Sequence, residues 1–197
     1  MFDDLYRNLR DQGHRGWGGA KFQARLDGWR RQLSSLLASA TFPGNVSHVL
    51  ELGCGNGAVA ALFAERGHHV SGVDISESAI AWARDEFRRR GLRGEFHHAD
   101  VSEGLTGFED ASFDVVVDGN CLHCICGEER ARAFSGIRRV LTPGGTFILS
   151  SMCGRPRSLE PQHAFDARTR CILRDGKPYR YLPDVDDLIA EVVGSGF

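Results

Sequence analysis

The sequence predicts one α/β domain built on a doubly wound, mostly parallel sheet. From His48 onward, short apolar runs alternate with longer segments of helical periodicity, and a glycine-rich loop follows the first run. Alternation of this kind is typical of right-handed βαβ units. A chain of 197 residues is long enough for one hydrophobic core and short for two, so we expect a single domain over residues 1–197.

Residues 46–152 form the predicted cofactor-binding core of this domain. The apolar run at 113–117 is continuous, as in strands that are covered on both faces. Pro143-Gly144-Gly145 predicts a turn before the last strand. The predicted strands are 49–52, 70–73, 95–98, 113–117 and 146–150, and the predicted helices are 58–66, 77–90 and 128–141.

Three segments of different pattern flank this core. They are an N-terminal region of loop and helix (1–40), an insertion on the substrate side (153–182) and a final helix (183–197). In the first segment, a glycine-rich loop at 13–19 precedes an apolar helical stripe at 22–37. In the insertion, Asp175-Gly176 lies between two short strand-like runs and predicts a hairpin.

Composition and charge limit the classes of function. The chain is 42% hydrophobic and 25% charged, and it has no apolar run long enough to span a bilayer. Its acidic start does not resemble a secretion signal, so we expect a cytoplasmic protein whose six cysteines are reduced. A net charge of -2 argues against a nucleic-acid or membrane partner bound by electrostatics.

The loop between Glu51 and Gly57 is the strongest local signal. Its glycines let backbone N–H groups approach a nucleotide-like ligand at a helix N-terminus. The spacing also fits dinucleotide-binding proteins, so NAD is an open alternative. Glu51 favours a cationic ligand over a pyrophosphate because its carboxylate precedes the first glycine. Asp74 ends the second strand, where an acid can accept hydrogen bonds from ribose hydroxyls.

Five motifs follow one another along about half of the chain. They are ELGCGNG at 51–57, VDIS at 73–76, HADV at 98–101, FDVVVDGNCLH at 113–123 and LTPGG at 141–145. In order and spacing they resemble the motifs of class I S-adenosylmethionine-dependent methyltransferases. The resemblance implies a Rossmann-like methyltransferase fold and binding of S-adenosylmethionine, with S-adenosylhomocysteine as product and no metal.

The resemblance also implies a role for each matched residue. The glycines would contact the methionine portion, Asp74 the ribose, Ile75 the adenine face, and Asp100 with Val101 the adenine edge. The cofactor-binding residues expected on this basis are Glu51, Gly53, Cys54, Gly55, Gly57, Asp74, Ile75, Asp100, Val101 and Asn120.

The sequence leaves the chemistry of the acceptor open. Methyl transfer from a sulfonium needs alignment and exclusion of water more than it needs a base. His123 is the candidate base because it follows the fourth strand at the ligand-binding edge, although a histidine there also fits a packing role. His163 in the insertion is a weaker candidate for contact with the substrate. Residues 118–121 depart from the Asn-Pro-Pro-aromatic signature of adenine-N6 and glutamine-N methyltransferases.

Two further groups of residues have both a functional and a structural interpretation. Cys121, Cys124 and Cys126 could hold a metalloid as thiolates, or they could be small residues that pack in the core. Tyr6 and Trp17 could line an acceptor pocket beneath an N-terminal lid. The same pocket could include Phe2 and Phe22, but Phe22 and Trp29 fit a core role better.

The family fold normally has seven strands, and we expect this sequence to lack the last one or two. The fifth strand would then be an edge, which soluble proteins usually cover. We expect the insertion or a second copy of the chain, in a homodimer, to cover it.

The leading hypothesis is methyl transfer to a small-molecule acceptor. The alternatives are a non-catalytic S-adenosylmethionine-binding or scaffolding protein, a methyltransferase acting on a metalloid or thiol, and an NAD-dependent oxidoreductase.

Overall fold

A computed structural model describes residues 2–39, 42 and 45–197. Five parallel strands form the main sheet in the order β3-β2-β1-β4-β5. They are β1 (His48–Leu52), β2 (His69–Asp74), β3 (Glu95–His98), β4 (Phe113–Gly119) and β5 (Leu141–Ser150). The order reverses direction between β1 and β4, which is where open α/β sheets bind their ligands. The predicted doubly wound fold is confirmed.

Alternate residues of the strands enter separate cores on the two faces of the sheet. On β4, Val115 and Val117 belong to one apolar cluster and Val116 to the other. The helices that cover these faces are α1 (Phe2–Asp11), α2 (Phe22–Leu37), α3 (Ala58–Ala64), α4 (Glu77–Arg89), α5 (Glu129–Val140) and α6 (Val185–Gly194). None of the described helices is both long and apolar enough to cross a membrane.

Strand β5 begins earlier than its sequence pattern predicts. Leu141 pairs with Phe113, whereas Thr146 pairs with Val115, so the intervening residues bulge out of the ladder. The glycines of the Pro143-Gly144-Gly145 turn permit this irregularity, since Gly144 has a positive φ of 78°.

The insertion forms a second, antiparallel sheet in the order β6-β7-β8. Its strands are β6 (His163–Asp166), β7 (Cys171–Arg174) and β8 (Lys177–Tyr181). The hairpin at Asp175-Gly176 is confirmed, and both turn residues have the positive φ of a type I′ turn. Strand β6 was not predicted.

We expected the insertion to cover the edge of β5, but none of its described strands pairs with β5. Within the described residues, β5 has β4 as its one strand neighbour and the insertion pairs only with itself. Coverage of this edge by a second copy of the chain stays a prediction.

Helix α1, which the sequence pattern did not indicate, docks on the N-terminus of α4. Asp3 Oδ1 accepts hydrogen bonds from Ser78 N at 2.8 Å and from Ser76 Oγ at 3.0 Å. Arg10 pairs with Asp85 at 2.5 Å. These contacts hold α1 and the following loop (the N-terminal lid, residues 2–21) over the carboxyl edge of the sheet. Met1 and Ala40, at the ends of the predicted N-terminal region, lie outside the described residues.

Candidate functional site

A cavity of about 750 Å³ lies at the carboxyl edge of the sheet, where β1 and β4 diverge. Its volume falls within the range of roughly 300–1,000 Å³ that is typical of small-ligand sites. One part is built from the strand ends and the glycine loop, and the other from the lid, α2 and the β8 strand. The predicted residues that line it are Tyr6, Trp17, Glu51, Gly53, Cys54, Gly55, Asp74, Ile75, Asp100, Val101, Asn120 and His123.

The glycine loop allows close approach of protein as well as ligand. A Cβ at Gly53 would lie 2.6 Å from Cys121 Cβ, and a Cβ at Gly55 would lie 2.6 Å from the Tyr6 hydroxyl. Gly57 does not line the cavity; it precedes α3, and a Cβ there would lie 3.0 Å from the Phe87 ring. Gly57 therefore lets side chains of α4 pack closely against the loop on the side away from the cavity.

Glu51 is buried at the end of β1, where its side chain also caps the N-terminus of α3. Its Oε2 accepts a hydrogen bond from Ala60 N, in the first turn of that helix, at 2.7 Å. Burial raises the pKa of Glu51 well above its ordinary value, and the nearby acids Asp74 and Asp118 raise it further. A cationic ligand in the cavity would stabilise the ionised carboxylates and offset this effect.

Asp74 shapes the loop from the end of β2. Its two oxygens accept hydrogen bonds from Gly55 N and from Ser76 N, each at 2.9 Å. Burial raises the pKa of Asp74, and these two hydrogen bonds oppose the rise. Each carboxylate oxygen has a second lone pair, so Asp74 can accept from a ribose diol while it holds the loop.

The adenine end of the predicted site is open and partly apolar. Ile75 lines the cavity with half of its surface exposed, which suits stacking of a flat ring. Asp100 follows β3, and its Oδ1 accepts from Ser102 N at 2.8 Å. Asn120 lies at the end of β4 with a positive φ of 76°, which turns the chain along the cavity wall.

Asp118 is a residue of this region that sequence reasoning missed. It is fully buried, and its Oδ1 accepts from Cys121 N at 2.6 Å and Leu122 N at 3.1 Å. Its Oδ2 has no hydrogen-bond partner among the described residues. Burial raises its pKa to about 7. An acid that interrupts the end of an apolar strand was the signal in the sequence that pointed to it.

His123 lies in the short 3₁₀ turn Leu122–Cys124, which Asp118 caps. Its Nε2 meets Nη1 of Arg180, and its Nδ1 is buried without a partner in the described part of the chain. Burial lowers the pKa of His123 to about 3, and the positive charge of Arg180 contributes to the lowering. The imidazole is therefore neutral at physiological pH.

Arg180 is the residue through which the insertion reaches the cavity, and sequence reasoning missed it. Its Nη1 donates to Cys124 Sγ at 2.8 Å, and its Nη2 donates to the Tyr179 hydroxyl at 3.2 Å. His163, which was predicted for this role, does not line the cavity. Its ring stacks on Tyr179 at 5.3 Å, one residue before Arg180.

The cysteines that were predicted as a group are divided by the structure. Cys121 and Cys124 line the cavity together with Cys54, whereas Cys126 does not line it and contacts Cys171. All six are free thiols. In the described ranges, no group of three or more His, Cys, Asp and Glu side chains could hold a metal ion.

The aromatic residues of the lid line the cavity. The ring centroids of Tyr6 and Trp17 lie 5.2 Å apart, and Phe2 lies 6.3 Å from Trp17. Phe22 belongs to the core, as we expected, and Trp29 packs against it; both also line the cavity. The cavity therefore combines buried acids at the strand ends with aromatic side chains from the lid and α2.

Comparison with known proteins agrees with this arrangement. Residues 49–145 match the family model described as a methyltransferase domain. Ribosomal RNA small subunit methyltransferase C of Chromohalobacter salexigens is 29% identical over 163 residues, or 79% of this chain and 46% of that protein. The 2-heptyl-1-hydroxyquinolin-4(1H)-one methyltransferase of Mycobacteroides abscessus is 36% identical over 102 residues, or 51% and 44%. The chain spans about half the length of the curated relatives it matches.

A solved structure extends the likeness to the whole chain. Burkholderia thailandensis 1,6-didemethyltoxoflavin-N1-methyltransferase, with bound 1,6-didemethyltoxoflavin and S-adenosylhomocysteine, superposes with a TM-score of 0.69 at 24% identity. The superposition covers 100% of this chain and 74% of that one, and it shows a shared fold.

Residues 49–145 are a methyltransferase domain, and the matches support the class I S-adenosylmethionine-dependent type. Its cofactor is S-adenosylmethionine, and the NAD alternative that the glycine spacing left open is set aside. The buried acids around the glycine loop fit a ligand that carries both a sulfonium and an ammonium group.

Proposed function

We propose that this chain transfers the methyl group of S-adenosylmethionine to a small-molecule acceptor that binds between the lid and the β8 strand. The observation that supports it best is a single continuous cavity, lined by the glycine loop on one side and by aromatic side chains on the other. Donor and acceptor would meet in one enclosed space, which is what an in-line displacement requires.

The residues of the chain contribute to the reaction mainly by placing the two reactants. S-adenosylmethionine, when bound, supplies a methyl group that is already activated by its sulfonium. Glu51, Asp74 and Asp100 would hold the donor, and Tyr6 and Trp17 would cover the cavity and exclude water. Alignment of this kind can lower a bimolecular barrier by roughly 7–11 kcal/mol.

His123 has two possible roles in this scheme. As a base it would take a proton from the acceptor, but a pKa of about 3 makes it a weak base at neutral pH. As a neutral imidazole whose Nε2 accepts from Arg180, it holds its proton on Nδ1, the atom that lacks a partner in the described structure. We favour the second role, in which the neutral imidazole accepts from Arg180 and positions that guanidinium at the cavity wall.

A small acceptor agrees better with the closed lid than a folded RNA does. The lid lies directly on the glycine loop, where Asn56 Nδ2 donates to the Arg15 carbonyl at 2.8 Å. The relative named 2-heptyl-1-hydroxyquinolin-4(1H)-one methyltransferase supports a small-molecule acceptor. The relative that acts on ribosomal RNA makes RNA the competing acceptor.

The proposal is tested with labelled S-adenosylmethionine and a fractionated metabolite extract, with purified ribosomal RNA in parallel. We expect S-adenosylhomocysteine release that depends on a low-molecular-weight fraction. Label found only in RNA would overturn the small-molecule part of the proposal, and no release with either acceptor class would favour a non-catalytic binding protein.

A pair of variants links any observed turnover to the described site. Asp74→Asn should weaken donor binding roughly tenfold or more, because hydrogen bonds to a charged group are worth about 1.5–3 kcal/mol. Asp186→Asn changes the same residue type on α6, outside the cavity, and should leave donor binding unchanged. Equal effects of the two variants on calorimetric titrations would contradict the assignment.

A further inference from the structure

The two halves of the cavity differ in the sign of their charge. The donor half contains the carboxyl groups of Glu51, Asp74 and Asp100. The acceptor half contains the guanidinium groups of Arg180 from β8 and Arg25 from α2. A cavity that attracts a cation at one end and an anion at the other favours two ligands of opposite charge.

Arg180 is half-buried and has only neutral groups as hydrogen-bond partners. These are the imidazole of His123, the thiol of Cys124 and the hydroxyl of Tyr179. Burial raises the pKa of Cys124, so its sulfur is the neutral thiol. Among the described residues, no carboxylate forms an ion pair with Arg180. A partly desolvated cation without an anion is unfavourable, and an anionic ligand would relieve that cost.

The guanidinium has donors to spare for such a ligand. A guanidinium has five N–H bonds, and three contacts to Arg180 are formed within the described chain. Its Cζ lies over the Tyr179 ring, 4.7 Å from the ring centroid. The remaining donors can form a forked pair of hydrogen bonds to a carboxylate.

The surroundings define the rest of the ligand. Arg25 lines the same half from α2 and adds a second positive charge, which also helps to lower the pKa of His123. Glu129 is the one acid on the lining of this half, and it pairs with Arg132 at 3.9 Å. The aromatic side chains of Phe22 and Trp29, which line the cavity from the same helix as Arg25, suit a flat, apolar body.

We propose that the methyl acceptor is an aromatic carboxylate and that Arg180 binds its carboxyl group. This proposal rests on the proposed methyltransferase function and names the class of its substrate. Binding requires no step beyond the established donor chemistry, because the carboxylate serves as an anchor while another atom of the ring system accepts the methyl group.

The test is calorimetric titration of the protein saturated with S-adenosylhomocysteine. The probes are 2-naphthoate, its neutral counterpart 2-naphthamide, and 2-naphthyl phosphate. We expect 2-naphthoate to bind at least tenfold more tightly than 2-naphthamide and more tightly than the phosphate. Arg180→Gln should remove most of the preference for the carboxylate over the amide, and Arg180→Lys should keep part of it.

A matched control variant shows whether loss of the preference is specific to Arg180. Lys177→Gln removes a positive charge from the same strand, outside the cavity, and should leave the preference unchanged. Equal affinity for carboxylate and amide, preference for the phosphate, absence of binding up to millimolar concentrations, or a preference that survives Arg180→Gln would each overturn the proposal. Titration of S-adenosylhomocysteine into each variant reports whether the variant is folded and binds the donor product. A variant that binds it normally but has lost the preference for carboxylate has lost the carboxylate site alone, whereas a variant that does not bind it has lost the donor site.

Discussion

The hydroxyl of Tyr6 lies against the backbone of Gly55, so the lid packs directly on the glycine loop. A Cβ at Gly55 would lie 2.6 Å from that hydroxyl. Tyr6 is buried, and burial raises its pKa well above the ordinary value, which keeps the hydroxyl neutral. Because no space separates the two segments, the position of the lid and the shape of the donor loop depend on each other.

Gly55→Ala should therefore weaken binding of S-adenosylhomocysteine by at least roughly tenfold, through displacement of the lid as well as backbone strain at a φ of 54°. Gly91→Ala is the matched control, because Gly91 has a φ of 64° and nothing within 4 Å of its Cβ position. Titration calorimetry with S-adenosylhomocysteine compares Gly55→Ala, in which the new Cβ meets the Tyr6 hydroxyl, with Gly91→Ala, in which a positive φ is strained without any such contact. In a Tyr6→Ala background the cost of Gly55→Ala should fall, and an unchanged cost would show that the contact is unimportant.

The Asp3 carboxylate is expected to hold the lid closed. The hydrogen bond that it accepts from Ser78 N lowers its pKa most, and the one from Ser76 Oγ lowers it further, to about 2. A depressed carboxyl pKa stabilises the docked state above about pH 4, and this contribution is lost as the pH falls toward 2. Asp3→Asn should increase hydrogen exchange of α1 at neutral pH.

Asp11→Asn is the control for the lid, because Asp11 lies at the other end of α1 and forms no hydrogen bond to α4 within the described structure. It should leave exchange of α1 unchanged. Equal protection of α1 in the Asp3→Asn variant and the unmodified protein would contradict a docking role for Asp3.

Sequence and structure agree where a local pattern determines the element. Strands β1, β2 and β4 follow from short apolar runs, β3 follows from its place in the alternation of strands and helices, and the donor loop follows from its glycines. Helix α1 was missed because it is short and polar except for a few residues such as Tyr6, and its docking depends on a contact between Asp3 and Ser78, 75 residues apart. Arg180 was missed for the same reason, since its partner His123 is 57 residues distant.

Arg130 should be important for stability because it joins three elements. Its Nε and Nη2 donate to the Glu191 carboxylate at 2.7 and 2.6 Å, and its Nη1 donates to two carbonyl oxygens of the 122–125 segment. Arg130→Met leaves these acceptors without a donor, and we expect a loss of about 2–4 kcal/mol of unfolding free energy in urea titrations. Arg132→Met, two residues further on at an exposed ion pair, should lose less than about 1 kcal/mol. Similar losses in both variants would contradict the role of Arg130.

Asp118 should destabilise the folded state as the pH rises, whereas the stabilising effect of Asp3 is lost as the pH falls. Its pKa of about 7 in the folded state lies above the ordinary value of 3.8, so the folded state holds the proton more tightly. Stability is therefore lost as the pH rises from about 4 toward 7. The unfolding free energy of the unmodified protein, relative to Asp118→Asn, should fall over this range by at most about 4 kcal/mol. A difference that stays constant with pH would show that Asp118 ionises normally.

His123 should stay neutral far below the pH at which an ordinary histidine is protonated. Burial and the adjacent Arg180 lower its pKa to about 3, whereas an unperturbed imidazole titrates near pH 6.5. Its ring ¹³C resonances, assigned by loss in His123→Gln, should not shift between pH 8 and about pH 4.5. In Arg180→Gln, removal of the nearby positive charge should raise the pKa of His123. If methyl transfer to an identified acceptor shows no ionisation near pH 6.5 and His123→Asn, which keeps a hydrogen-bond acceptor for Arg180, is more active than His123→Ala, then the imidazole positions Arg180. A midpoint near pH 6.5 in the NMR titration, together with equal inactivity of both variants, would instead favour the catalytic base.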